Sequence, residues 1–273
     1  MTVRSMDVTR NATESVITAE YPLSFGQRAL WFTQQLAPQS TAYNLGYAFR
    51  IRSELELPAF RGAFQRLVDT FPTLRTNFFE ADGEPFQRVY AHKEVCFQAV
   101  DASTWSDADL DWRLEQEIYR PFDLARDALL RLFLFSRSKQ EHILLLMLHH
   151  IITDMWPMPL FARGLGELYT EQKTGIPAQL KLGRAQYADH VRWEVDMLSG
   201  PEGEHHWAYW SEKLGGELPA IELLTDFPRP KVQSERGSVR SRALDAQLTQ
   251  ALKSLAKAHD TRLDVVALAA FYV

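Results

Sequence analysis

The chain has a single cysteine, Cys96, among 273 residues. An internal disulfide is therefore excluded, and a reducing, cytoplasmic setting is expected. Within Val95-Cys96-Phe97 the thiol reads as a buried, inert strand residue and not as a nucleophile. No apolar run approaches the roughly 18 residues of a membrane helix, so no membrane association is expected. Residues 1 to about 20 are polar and read as a flexible lead-in without a secretory leader. Basic residues are not in excess: 30 Lys plus Arg stand against 35 Asp plus Glu, for a net charge of -5. They are scattered, which leaves no stripe for nucleic acid. There is no Gly-x-Ser-x-Gly elbow for a serine nucleophile, no internal repeat and no low-complexity segment.

What is present is an ordinary globular composition, 46% hydrophobic and 24% charged, with length for one large domain or two small ones. Ser24 and Gln27 form a capping box, and the helix behind it carries Phe25, Ala29, Phe32 and Leu36 on one face. A period-two strand follows, with Tyr43, Leu45, Tyr47, Phe49 and Ile51 facing one way. Pro58 opens a helix with Phe60, Phe64, Leu67 and Phe71 at helical spacing, and Pro72 ends it. Leu74 to Phe79 reads as a strand, Asp82-Gly83 as a hairpin turn and Pro85 to Tyr90 as the returning strand. Val95 to Val100 is a further strand. Ser106 caps a helix with Leu110, Leu114 and Ile118. Two apolar strands come next, Leu129 to Phe135 and a second ending at His149-His150, joined at Lys139-Gln140-Glu141. Pro157 starts a helix with Leu160, Leu165 and Leu168.

The main boundary is placed in the looser stretch that begins at Gly175-Ile176-Pro177. Beyond it two aromatic-rich helical segments are expected, Tyr187 to Leu198 and His205 to Leu214. A short strand from Val239 to Leu244 and a helix with Leu248, Leu252 and Leu255 complete the series. The final run, Asp264 to Val273, is apolar nearly all round, as a buried helix is. It carries no capping signal, and the chain is expected to be part of something longer.

The stretch from His149 to Trp156 holds the candidate chemistry. Two histidines at the end of a buried strand are costly unless their nitrogens find partners. On a strand, neighbours point to opposite faces. His149 and His150 are therefore not expected to act as a pair: one can serve structure while the other serves chemistry. Adjacent strand histidines do not readily chelate a metal, and no nearby Cys or Glu completes a ligand set, so no metal is expected. A histidine pair that merely caps the strand remains open on these residues alone. His190, His205, His206 and His259 read as surface or helix histidines, and Trp31, Trp156, Trp193, Trp207 and Trp210 as core.

Taken together the motifs resemble the condensation domain of nonribosomal peptide synthetases, a family that shares the chloramphenicol acetyltransferase-like fold. Leu23-Ser24-Phe25-Gly26-Gln27-Arg28-Ala29-Leu30-Trp31-Phe32 is similar to the first family motif. Phe71-Pro72-Thr73-Leu74-Arg75-Thr76-Asn77-Phe78 is similar to the second. His149 to Asp154 matches the His-His-x-x-x-Asp of the third, the active-site motif, and Gln186 to Trp193 resembles the fourth. The stretch from Tyr209-Trp210 through Leu224-Thr225-Asp226-Phe227-Pro228-Arg229-Pro230 also has the family's look. The chain departs from the pattern at Met155, where the family has Gly. Met there either strains a backbone with positive φ or narrows the tunnel.

The resemblance implies an α/β sandwich, a mixed sheet flanked by helices, with residues 21–176 as the N-terminal lobe and 177–273 as a linker and partial second lobe. It implies amide-bond formation between a donor acyl or peptidyl thioester and an acceptor aminoacyl thioester. By carry-over His150 is the catalytic histidine, as a general base near neutral pH or as a group that orients the amine. His149, Asp154, Met155, Trp156 and Arg75 support it, with Arg75 expected to pair with Asp154. No cofactor is expected on the domain itself; phosphopantetheine arms come from upstream and downstream carrier domains, with an adenylation domain in the parent synthetase. The alternatives are a coenzyme A-dependent or ester-forming acyltransferase of the same fold, or a non-catalytic lobe that docks carriers. The isolated chain is expected to be inactive.

Overall fold

The apolar run before the histidines becomes strand β7 (Glu141–His149), in which every residue from His142 to His149 is buried. A strand covered on both faces reads as a continuous apolar run and not as an alternation. β7 lies inside a four-stranded sheet of order β2-β7-β6-β5, built with β2 (Asn44–Ile51), β5 (Cys96–Asp101) and β6 (Leu130–Ser138). β2 and β6 run antiparallel to β7, whereas β5 is parallel to β6. That parallel pair needs a crossover. It is supplied by α3 (Asp107–Ile118), whose Ser106–Asp109 capping box starts the helix. The structure is a computed structural model, and it describes residues 16–154, 158–180, 185–220, 224–231 and 237–272.

Helices α2 (Leu57–Thr70) and α4 (Met158–Thr174) pack together against the core. Phe60, Phe64 and Leu67 recur at helical spacing and are buried as expected. The Phe60 ring meets Tyr169 at 5.9 Å and Phe64 meets Phe161 at 5.8 Å. Each buried side chain of this size contributes about 1.5–3 kcal/mol. A second sheet, of order β1-β4-β3, is formed by β1 (Ile17–Pro22), β3 (Thr76–Ala81) and β4 (Glu84–Tyr90). Asp82 and Gly83, at φ 54 and 81, turn β3 into β4 with the two positive angles that a tight hairpin needs.

Several expectations are corrected. Among the described residues the first regular element starts at Ile17, inside the stretch read as a lead-in, because Ala19 and Tyr21 are half-buried when β1 pairs with β4. Pro72–Arg75 forms a 3-10 turn, so the strand expected from Leu74 starts at Thr76. Residues 239–244 form no strand, having no ladder partner among the described residues. Cys96 lies exposed at the start of an edge strand, although desolvation still raises its pKa and keeps the thiol protonated.

Helix α1 (Phe25–Leu36) turns the other way from its apolar pattern: Phe25, Phe32 and Leu36 are exposed, and Gln27 and Gln34 are buried. The buried side is occupied by hydrogen bonds instead. The expected helices α7 (Ala246–Ala258) and α8 (Leu263–Phe271) are present, but α8 has no buried residue.

The described residues fall into two compact units, one up to Arg229 and one from Pro230. Helices α5 (Tyr187–Ser199) and α6 (Pro201–Leu214) thus belong to the first unit. The reason is visible at the start of α1, where Ser24 Oγ and Tyr187 OH lie 2.8 Å apart and Glu194 accepts from the Phe25 backbone N–H at 2.8 Å.

The elbow between α5 and α6 depends on Gly203. A Cβ there would sit 2.3 Å from the Leu198 carbonyl oxygen, a backbone atom that cannot swing aside. Gly203→Ala is expected to destabilise the protein by about 1–3 kcal/mol. Gly166→Ala, whose Cβ meets nothing within 4 Å, is expected to be neutral or stabilising. Thermal melts of both variants check this, and equal melting temperatures would sink it.

Candidate active site

The site starts from the last residue of β7. His149 is 1% exposed. Its backbone N–H donates to Leu129 O at 3.1 Å, and its ring stands edge-on to Phe122 with centroids 6.1 Å apart. Its Nδ1 accepts the Ile151 backbone N–H at 3.1 Å. That bond closes a 3-10 turn over His150–Ile152. An acceptor at Nδ1 requires a neutral ring. Burial first, and then the neighbouring His150, pulls the His149 pKa down to about 4. His149 is therefore a neutral imidazole whose Nδ1 closes the turn.

His150 is the first residue of the turn and not the last of the strand. Its backbone N–H donates to Tyr43 O at 2.9 Å. The residue is half-buried and lines a cavity of about 780 Å³. Leu30, Phe71, Phe78, Leu148, Ile152 and Phe161 form much of the apolar wall, brought there by α1, the segment after α2, β3, β7, the turn and α4. Asp154 lines the same cavity. Strand geometry separates the two histidines as anticipated, and the turn completes the separation.

Arg75 does not take the place expected beside Asp154. Thr76 pairs with Val89, which puts Arg75 next to Tyr90, and its Nη1 donates to the Tyr90 carbonyl oxygen. Its Nε is buried without a partner among the described residues. Arg75 thus braces the three-stranded sheet. Met155 and Trp156 lie outside the described residues.

A family model described as "Condensation domain" matches residues 17–273. The chain belongs to the condensation-domain family. The domain is 38% identical over 254 residues to a component of the linear gramicidin synthase of Brevibacillus parabrevis, a match that covers 92% of this chain and 3% of that protein. It is 35% identical over 252 residues to polyketide synthase PksN of Bacillus subtilis (strain 168), covering 92% of the domain and 5% of that protein. It thus spans only a small part of these curated relatives. In fold it is similar to a four-domain holo nonribosomal peptide synthetase bound to AMP and glycine, with TM-score 0.75 and 22% identity over 97% of this chain and 20% of that one. It is equally similar to the first condensation domain of the calcium-dependent antibiotic synthetase with a substrate analogue. There the TM-score is 0.75 and the identity 20%, over 91% of this chain and 59% of that one. The chloramphenicol acetyltransferase-like fold expected from the motifs is the fold observed.

Sequence reasoning missed the groups behind the turn. Gln27 was legible as a capping residue and as part of the first motif, with nothing to tie it to the turn, and Gln87 on β4 carried no signal at all. Both are buried, and both line the cavity. Tyr187 lay inside the fourth motif, but nothing in the sequence tied it to Ser24.

The state of His149 has a pH consequence. The unfolded imidazole titrates near 6.5 and the folded one near 4. Between those values the unfolded chain binds the extra proton, so this contribution to stability is complete above pH 6.5 and is lost as pH falls toward 4. From pH 7 to pH 5 the loss amounts to about 2 kcal/mol. His149→Leu is expected to be less stable than the parent at pH 7 and to lose less of its stability on going to pH 5. Urea unfolding at the two pH values measures both, and parallel losses would refute a neutral, buried His149.

Proposed function

We propose that this domain joins a donor acyl or peptidyl thioester to the amine of an acceptor aminoacyl thioester, both presented on the phosphopantetheine arms of carrier domains. The observation that supports this reading is the placement of one half-buried imidazole, His150, at a rigid strand end on a largely apolar cavity, beside a histidine locked in the neutral state. An apolar cavity with few polar groups suits an uncharged acyl thioester and excludes much of the water that would hydrolyse it.

In the reaction the acceptor nitrogen attacks the thioester carbonyl carbon. The new N–C bond forms, and a tetrahedral intermediate follows. Its collapse breaks the C–S bond and releases the donor arm as a thiolate. The proton lost by the attacking nitrogen ends on that thiolate. His150 either removes the proton as general base or holds the amine in line with the carbonyl. Asp154 supports the turn from the cavity side. The carriers stand upstream and downstream, with an adenylation domain in the parent synthetase. A lone exposed cysteine fits a reducing, cytoplasmic setting.

The test uses the synthetase that contains this domain, with loaded donor and acceptor carriers and mass spectrometry of the product. His150→Ala is expected to lower the rate of amide formation by roughly 10²-fold or more, with the melting temperature of the parent. Product that does not depend on His150 would overturn the assignment. Product from free coenzyme A thioesters without carriers would place the domain among acyltransferases. Carrier binding without any product would make it a docking lobe.

A further inference from the structure

A buried amide relay reaches the turn that carries His150. Gln27, 5% exposed, lies in the first turn of α1, and Gln87, 2% exposed, lies on β4. Gln27 Oε1 accepts two donors, the Ser24 backbone N–H at 3.2 Å and Gln87 Nε2 at 3.0 Å. Gln87 Nε2 also donates to the Pro22 carbonyl at 2.9 Å, which holds it in that orientation. With its oxygen so occupied, the Gln27 amide has one way to point. Its Nε2 donates to the Ile151 carbonyl oxygen at 3.1 Å.

Ile151 is the middle residue of the three-residue turn, directly after His150. Its N–H is taken by His149 and its carbonyl by Gln27. The capping box itself needs only the backbone N–H and the oxygen of Gln27. The Nε2 donor is surplus to capping, and it crosses 124 positions of sequence to the catalytic turn.

We propose that Gln27 is a positioning residue for condensation, with Gln87 selecting its orientation. Gln27 holds the Ile151–Ile152 peptide plane, one residue beyond His150, and through the turn the place of the imidazole in the cavity. This rests on the reading of His150 as the reacting histidine.

The substitution that isolates the role is Gln27→Glu. A neutral carboxylic acid has the shape of the amide. Its carbonyl accepts from Ser24 and Gln87, and its hydroxyl donates to Ile151 O. Once ionised it has only acceptors, and a negative oxygen faces the Ile151 carbonyl. Burial raises a carboxyl pKa, which brings the change toward a measurable range. Gln27→Met keeps length and bulk but has no donor at any pH.

Both variants are assayed from pH 5.5 to 8 in the synthetase that contains the domain. Each rate is divided by that of the parent at the same pH. The division removes the titration of groups common to all three proteins, which near Gln27 are His149, His150, Asp154, Tyr187 and Glu194. Gln27→Met is expected to lose about 10- to 100-fold in kcat at every pH, with the KM for the acceptor carrier changed less than threefold. Gln27→Glu is expected to match that loss at pH 8 and to recover toward the parent as pH falls. Full kcat in Gln27→Met, or a loss in Gln27→Glu that does not move with pH, would overturn the proposal.

A readout without turnover separates this from the functional reading. In the chain labelled at histidine carbons, Gln27→Met and Gln87→Met are expected to shift the His150 ring signal and leave those of the surface residues His92 and His206 in place. A shifted His150 signal in a protein that makes no amide would leave the relay standing and remove condensation. An unmoved signal in both variants would remove the relay, whatever the turnover. Where Gln27→Met fails to fold, Gln27→Glu below its pKa and Gln87→Met carry the same test.

Discussion

The site depends on how one buried strand ends. β7 is covered on both faces up to His149, and one residue later the chain must present a polar ring to a cavity. Such an ending strands backbone groups away from water, and each unmade hydrogen bond there costs about 1–3 kcal/mol. The chain solves this within three residues. His149 Nδ1 takes the Ile151 N–H, Tyr43 takes the His150 N–H, and Gln27 meets the Ile151 carbonyl. The turn is therefore held by segments far apart in sequence, and it can form only when α1, β2 and β7 have assembled.

The same arrangement explains why the cavity wall is shared so widely. Leu148 and Ile152 flank the histidine, Phe78 comes from the second sheet, and Phe161 from the helix that packs on α2. No single element encloses the space. Rigid elements hold a reacting group better than loops do, and His150 sits one peptide from a central strand. The polar side of the wall is continuous with the buried amides, so the cavity and the anchoring of the turn share groups.

Much of the fold was legible because local rules and global packing agree. Ser24–Gln27 is a capping box in sequence and in space, and Ser106 starts its helix as read. Asp82-Gly83 makes the hairpin, and the apolar runs before Ser138 and His149 are the paired core strands. The failures have a common cause, which is that partners far away decide. The apolar pattern of α1 predicts the wrong buried face, because Gln27 answers to Ile151 and not to helical periodicity. Arg75 was matched to Asp154 through the family resemblance, while its register beside Tyr90 turns its Nη1 to the Tyr90 carbonyl. Val239 to Leu244 was read as a short strand and has no strand partner among the described residues. At the site, the division between His149 and His150 followed from the period of a strand. The amides that steady them could not be found without coordinates.

The division of labour between the histidines is also electrostatic. Two adjacent imidazoles oppose each other's positive charge. If both were equally wet, a proton taken up at the site would be shared between them, and half the time it would sit on the ring that closes the turn. That ring would then lose its acceptor, and the Ile151 N–H its partner. Burial of His149 removes it from the competition, since desolvation dominates the fall of its pKa to about 4. A leucine in its place would be equally incapable of taking the proton, but it would leave the Ile151 N–H orphaned. A surface histidine would close the turn only until it was protonated. A buried, neutral imidazole meets both demands, and it leaves His150 as the histidine of the pair open to the cavity.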